Sequence, residues 1–77
     1  MTDIAVIRKN TREELRISLD TFQGHDLVNL RVWFEDNDGI MRPSKKGLAF
    51  KLALLPEVAA ALQSAQALLP ANDGSGG

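Results

Sequence analysis

Residues 22–50, FQGHDLVNLRVWFEDNDGIMRPSKKGLAF, decide the fold. From Leu27 to Glu35 the chain alternates in character. Val28, Leu30, Val32 and Phe34 fall on one face of an extended strand, with Asn29, Arg31 and Trp33 on the other. The first set reads as core and the second as a partly solvated surface. Phe22-Gln23-Gly24-His25 precedes this strand as a turn, with Gly24 free to take a positive φ. Asp36-Asn37-Asp38-Gly39 follows it and ends in Asp-Gly, a strong hairpin signal. Ile40-Met41-Arg42 then begins another strand, which Pro43 interrupts and Gly47 to Leu52 resumes. A proline has no N–H to give a ladder, so this point belongs to a sheet edge or a bulge. Ser44-Lys45-Lys46 is left as an exposed loop or bent edge.

Toward the N-terminus, Ile4 to Lys9 is a short β-branched run that reads as a strand, and Asn10-Thr11 supplies turn chemistry. Glu14 to Asp20 alternates strictly, placing Leu15, Ile17 and Leu19 opposite Arg16, Ser18 and Asp20. That is a half-buried strand whose register one residue of slip would invert. Toward the C-terminus, Pro56-Glu57 marks a helix start, with proline in the first turn and an acid at the positive end of the dipole. Leu55, Val58, Leu62, Ala65 and Leu69 recur at spacings of three and four, giving a narrow apolar stripe. Pro70 stops the helix. The expected architecture is α+β: a four-stranded antiparallel sheet followed by one C-terminal helix, in a single domain over 1–69 with a flexible tail at 70–77. A helix with no basic residue does not read DNA. It serves better as a lid on the sheet or as a partner for a second helix.

The chain has 77 residues, no cysteine and one histidine, so a disulfide, a thiolate metal site and a His-rich zinc site are all excluded. A core this small rarely supplies more than about 3–5 kcal/mol, and association is the remaining way to add to it. A homodimer is therefore expected. The first ten residues do not read as a signal peptide, and no apolar run approaches the ~20 residues of a membrane span, so a cytosolic protein without membrane partners is expected (nucleoid-associated if the source is bacterial). Net charge is −1, but all nine Lys and Arg lie between Arg8 and Lys51, which leaves room for a basic face on the sheet that the total conceals.

No enzyme machinery is visible, since neither a nucleophile–base pattern nor a glycine-rich phosphate loop is present. The Asp36 turn resembles the start of a calcium loop, but its twelfth position is Gly47 rather than a glutamate. No cofactor or metal is expected. Arginine, aromatics and a lysine pair on a sheet are what unstacked nucleic-acid bases require, rings for the bases and cations for the phosphates. Each has a plainer reading as well. Phe22 caps the core edge or stacks on a base. Arg31 pairs across the strand with Asp20 or Glu14, or faces a ligand. Trp33 belongs to the core or a dimer interface, or to the site. His25 is a surface turn residue, and Lys45-Lys46 alone is a solvated pair.

Taken in order, Phe22-x-Gly24, the apolar run to Leu30-Arg31, the pair Trp33-Phe34, the acidic turn ending at Gly39, Met41-Arg42-Pro43 and Lys45-Lys46-Gly47-Leu48 resemble the positive-cofactor-four family of transcriptional coactivators. The resemblance covers about residues 4–69. It implies a strongly curved antiparallel sheet with its C-terminal helix, dimerised about a two-fold axis, that forms channels for single-stranded DNA with little sequence preference. By the same resemblance Phe22 and Phe34 fall on stacking positions, and Arg31, Arg42 and Lys46 on basic contact positions. This chain departs from the family where Gln23 and His25 replace turn lysines. A further departure is Phe34 at a position usually held by tryptophan, with Trp33 one place earlier. The serine-rich regulatory segment of eukaryotic members is missing.

The expected function is sequence-tolerant binding of single-stranded DNA, or of RNA, in transcription or its regulation, with the transcription machinery as a possible protein partner. Phe22, Trp33 and Phe34 are the candidate stacking rings. Lys9, Arg12, Arg31, Arg42, Lys45 and Lys46 are the candidate phosphate contacts. The alternative is a dimeric protein-interaction module whose charged sheet docks a protein.

Overall fold

The computed structural model describes residues 2–69. Four antiparallel strands follow one another in sequence order across a single sheet: β1 (Thr2–Arg8), β2 (Glu13–Phe22), β3 (His25–Glu35) and β4 (Met41–Lys51). A 3-10 turn at Leu52–Leu54 leads into α1 (Leu55–Ala67). Proline in the first turn and Glu57 beside it start this helix as the sequence requires, one residue earlier than Pro56. It ends at Ala67, with the Leu68 N–H turned back onto the Ala65 and Gln66 carbonyls. Leu52, expected as the end of β4, belongs to the 3-10 turn instead. The stop at Pro70 and the 70–77 tail lie outside the described residues.

The β2–β3 turn sets the geometry of the sheet. Gln23 and Gly24 both have positive φ, 51° and 78°, the pairing of a two-residue turn whose twist matches that of the strands it joins. Phe22 then pairs with His25, and the ladder runs without slip to Glu13 opposite Phe34. All of β2 and β3 is thereby sorted onto two faces. Leu15, Ile17 and Leu19 lie with Leu30, Val28 and Val32 on an apolar face. Glu14, Arg16, Ser18 and Asp20 lie with Trp33, Arg31, Asn29 and Leu27 on a polar one.

Strand β4 is continuous where the sequence predicts a break. Pro43 sits opposite Trp33 on this edge strand, and the register shifts between Arg31 and Trp33. The extra residues Ser44 to Lys46 swell into a bulge facing Val32, and backbone and side-chain bonds stitch it down. The Ser44 hydroxyl donates to the Val32 carbonyl at 2.7 Å and accepts the Lys46 N–H at 3.1 Å. Gly47 closes the bulge at φ 152°; a Cβ there would stand 2.3 Å from the Leu30 carbonyl oxygen. Only glycine fits.

Burial is thin. Among the described residues only Val28 and Ser18 are buried, and no residue of α1 is. The main contact of the helix is with the 3-10 turn before it, so it does not close over its own sheet. The predicted core set of Leu15, Ile17, Leu19, Leu30 and Val32 is half-buried, and Leu48, Leu62 and Leu69 are exposed. The sequence names the apolar face correctly, but among the described residues nothing covers it.

Candidate nucleic-acid interface

The sheet end that holds the β1–β2 and β3–β4 turns gathers most of the candidate residues. Asn10 organises the first turn: its Oδ1 accepts the Arg12 and Glu13 N–H groups at 3.0 and 2.9 Å. Its Nδ2 donates to Glu13 at 2.7 Å, and Lys9 Nζ reaches the same carboxylate at 3.3 Å. These bonds, Asn10 first and Lys9 second, hold the Glu13 carboxyl below the usual carboxylate range, with the charge of Lys46 adding to them. The Glu35 N–H donates to the Arg12 carbonyl at 2.9 Å, tying this turn to the end of β3.

In the β3–β4 turn Asp36 does the equivalent work. Its carboxylate accepts the Asp38 and Ile40 N–H groups at 2.8 and 3.0 Å and receives the Arg42 guanidinium on its other oxygen. Arg42 is the main reason that the Asp36 carboxyl sits below its ordinary range, followed by the Ile40 N–H.

Between these turns stands Phe34. It pairs with Glu13 on β2 and Arg42 on β4, and 37% of it is exposed. The alternation places it with Val28 and Val32 on the apolar face, at the rim where cations border it. Lys9, Arg12, Arg42 and, through its field at Glu13, Lys46 belong to this cluster. Lys45 lies in the adjoining bulge.

The other candidates lie elsewhere. Phe22 is 61% exposed, but it pairs with His25, nine residues before Phe34 along β3. That separates the two rings by about 30 Å. Arg31 and Trp33 project from the polar face, as alternation predicts. Arg31 makes neither of the ion pairs considered for it. Its Nη1 donates to the Ser44 carbonyl at 3.1 Å, because Arg16 has taken Glu14.

Arg16 is the residue that sequence reading passes over. Its guanidinium stands 4.1 Å from the Trp33 ring centroid and donates twice to Glu14, from Nε at 3.1 Å and Nη2 at 3.0 Å. Trp33 thus has a cation over one face. The signal was present in the two-residue turn, which fixes Glu14 opposite Trp33 and Arg16 opposite Arg31. Beside this stack the polar face holds a cleft of about 260 Å³ lined by Asp3, Arg16, Ser18, Asn29, Arg31, Trp33 and Pro43. A larger depression of about 380 Å³, near His25 and Lys51, is open and shallow and encloses little.

Of the nine Lys and Arg residues, four stand in ion pairs: Arg8 and Arg16 with Glu14, Lys9 with Glu13, and Arg42 with Asp36. Arg12, Arg31, Lys45, Lys46 and Lys51 make none among the described residues. Among those residues, too, no group of three His, Cys, Asp or Glu side chains is placed to hold a metal ion, and no helix is long and apolar enough to cross a membrane.

Comparison with solved structures finds the same architecture. A PC4 homologue from Burkholderia pseudomallei, BPSL1147, superposes in its orthorhombic form with a TM-score of 0.77 at 29% identity, covering 84% of this chain and 88% of that one. Its tetragonal form gives 0.76 at 29% identity, with 84% and 96% covered. The bacteriophage T5 homologue of the eukaryotic coactivator PC4, implicated in recombination-dependent DNA replication, shares the fold with a TM-score of 0.62 at 22% identity over 88% of this chain and 78% of that one. No curated protein matches. Residues 9–61, most of the sheet and half the helix, match the family described as Transcriptional Coactivator p15 (PC4), and the chain belongs to that family.

Proposed function

We propose that this protein binds single-stranded DNA as a dimer, with little dependence on sequence, and acts in transcription. One observation carries the reading: an exposed Phe34 opposite Arg42 at the open end of the sheet, with the Arg12 backbone tied to the end of the same strand and the charge of Lys46 felt at Glu13 across from it. A ring accepts a base by stacking, and the surrounding cations meet the phosphates that follow it. Membership of the coactivator family supports the same ligand.

What one chain leaves undone supports the dimer. Among the described residues nothing covers its apolar sheet face or its helix, and large exposed apolar patches mark association surfaces.

Fluorescence anisotropy of a labelled ~20-nucleotide single strand beside a duplex control, across a salt series, tests this. Single-strand binding well below the duplex Kd, weakening linearly in log salt, is the expected result. Equal or absent binding of both would select the alternative instead, a dimeric module whose charged sheet docks a protein.

A further inference from the structure

The proposed site at Phe34 and its neighbouring cations leaves the polar-face cleft unused. We infer that this cleft takes one unpaired guanine from the bound strand, giving an otherwise indifferent protein a preference at a single nucleotide. The inference rests on the single-strand reading above.

Size comes first. At about 260 Å³ the cleft lies just under the 300–1,000 Å³ of pockets that hold drug-sized ligands. One ring system fits, and a stretch of nucleotides does not.

The walls then decide the chemistry. The Arg16 guanidinium lies over Trp33 and is fixed there by its two bonds to Glu14, so it presents a flat, oriented shelf. Unstacked bases lie on guanidinium planes as readily as on rings. Arg31 has one N–H committed to the Ser44 carbonyl, and its remaining donors have no partner among the described residues. Asp3 lines the same cleft, and its carboxylate makes no hydrogen bond or ion pair among them either. A site for phosphate alone would not keep an unpaired carboxylate.

Donors on one side and a carboxylate on the other select a ring with acceptors along one edge and donors along the next. Guanine offers O6 and N7 to an arginine, and its N1–H and N2–H₂ to a carboxylate. Thymine and cytosine lack the N7/O6 pair, and adenine carries an amino group where the arginine needs an acceptor.

Asn29 adds an independent mark. Its Nδ2 points at the acceptor-only Asp20 carboxylate, which fixes the amide orientation, and behind the cleft lining its Oδ1 is buried without a partner among the described residues. A buried acceptor left unpaired is costly to keep and calls for an explanation. The atom has no open surface in the unoccupied cleft, so a base amino group becomes its donor as the wall yields to the entering base.

Trp33 is the sole tryptophan, so its fluorescence reports from the cleft itself. The test titrates the full chain with a thymine 12-mer, the same strand with one central guanine, and strands with inosine or 7-deazaguanine at that place. A lone guanine among thymines cannot build a quadruplex. The expected result is quenching and about a 5- to 100-fold tighter binding for guanine over all-thymine, with part of the gain lost for each analogue. Asp3→Asn should raise affinity for all-thymine strands, by removing a negative charge, while shrinking the guanine ratio. That opposite movement distinguishes base reading from a general charge effect. Equal affinity for all four strands, with thymine binding intact, overturns the guanine pocket and spares the single-strand reading. Failure to bind any strand overturns both.

Discussion

The Arg42 guanidinium bonds the Asp36 carboxylate across the mouth of the β3–β4 turn. A residue expected to meet phosphate is thus already occupied by an internal anion. Asp36→Asn should free it and raise affinity for a thymine single strand by about two- to fivefold at low salt, with the gain fading as salt rises. Unchanged affinity would mean that Arg42 does not face the ligand.

Acid acts on the same pair. The Asp36 carboxyl is held below its ordinary range, chiefly by Arg42, so its contribution to stability is fully present above the usual carboxylate pKa. It is lost as pH falls through the lowered value. Denaturant midpoints measured from neutral pH into that acidic window should fall in the wild type, and less steeply in Asp36→Asn.

The two neighbouring aromatics should separate by assay. Phe34→Ala removes an exposed ring and should cost about 1–3 kcal/mol of binding to a thymine strand with little loss of fold. Trp33→Ala removes a half-buried ring stacked on Arg16 and should lower stability by about 1–3 kcal/mol. Anisotropy and urea denaturation of both variants decide it. A reversed pattern would place the thymine-binding ring on the polar face.

Ion pairing thins the charge available to a ligand. Of the six cations expected at the site, Arg12, Arg31, Lys45 and Lys46 are outside ion pairs among the described residues, while Lys9 and Arg42 are inside them. With about 0.7 counterions released per contact on single strands, the slope of log K against log salt should be near −3 per protomer. A slope of −4 or steeper would show that the ligand breaks the pairs.

Backbone geometry gives the sharpest stability test. Gly47→Ala drives a methyl into the Leu30 carbonyl and imposes a φ that side chains rarely adopt. It should cost about 1–3 kcal/mol and loosen the bulge that carries Lys45 and Lys46. Gln23→Asn should act oppositely: Gln23 holds a left-handed φ of 51° that asparagine tolerates better, so a gain of about 0.5–1 kcal/mol is expected by thermal or urea denaturation.

Much of this architecture was legible in the sequence, because its signals are local. Strict alternation from Glu14 to Asp20 and from Leu27 to Glu35 specifies two strands and their faces, and Gly24 and Asp38-Gly39 specify the turns between them. What escaped depends on distant partners. Pro43 reads as an interruption, whereas the edge position and the Ser44 bonds to Val32 let β4 run through it. Arg31 and Glu14 look like natural partners until Arg16 competes for the same carboxylate. Burial could not be read from the pattern at all: alternation marks which side of β3 is apolar but not whether anything lies against it.

That uncovered apolar side has a consequence for dosage. With the face completed by a second copy, as proposed, the amount of competent protein follows mass action rather than the number of chains made. Well below the association midpoint, halving synthesis would cut the paired form about fourfold. A cell would then hold a steep control over how much exposed DNA is occupied, through expression alone.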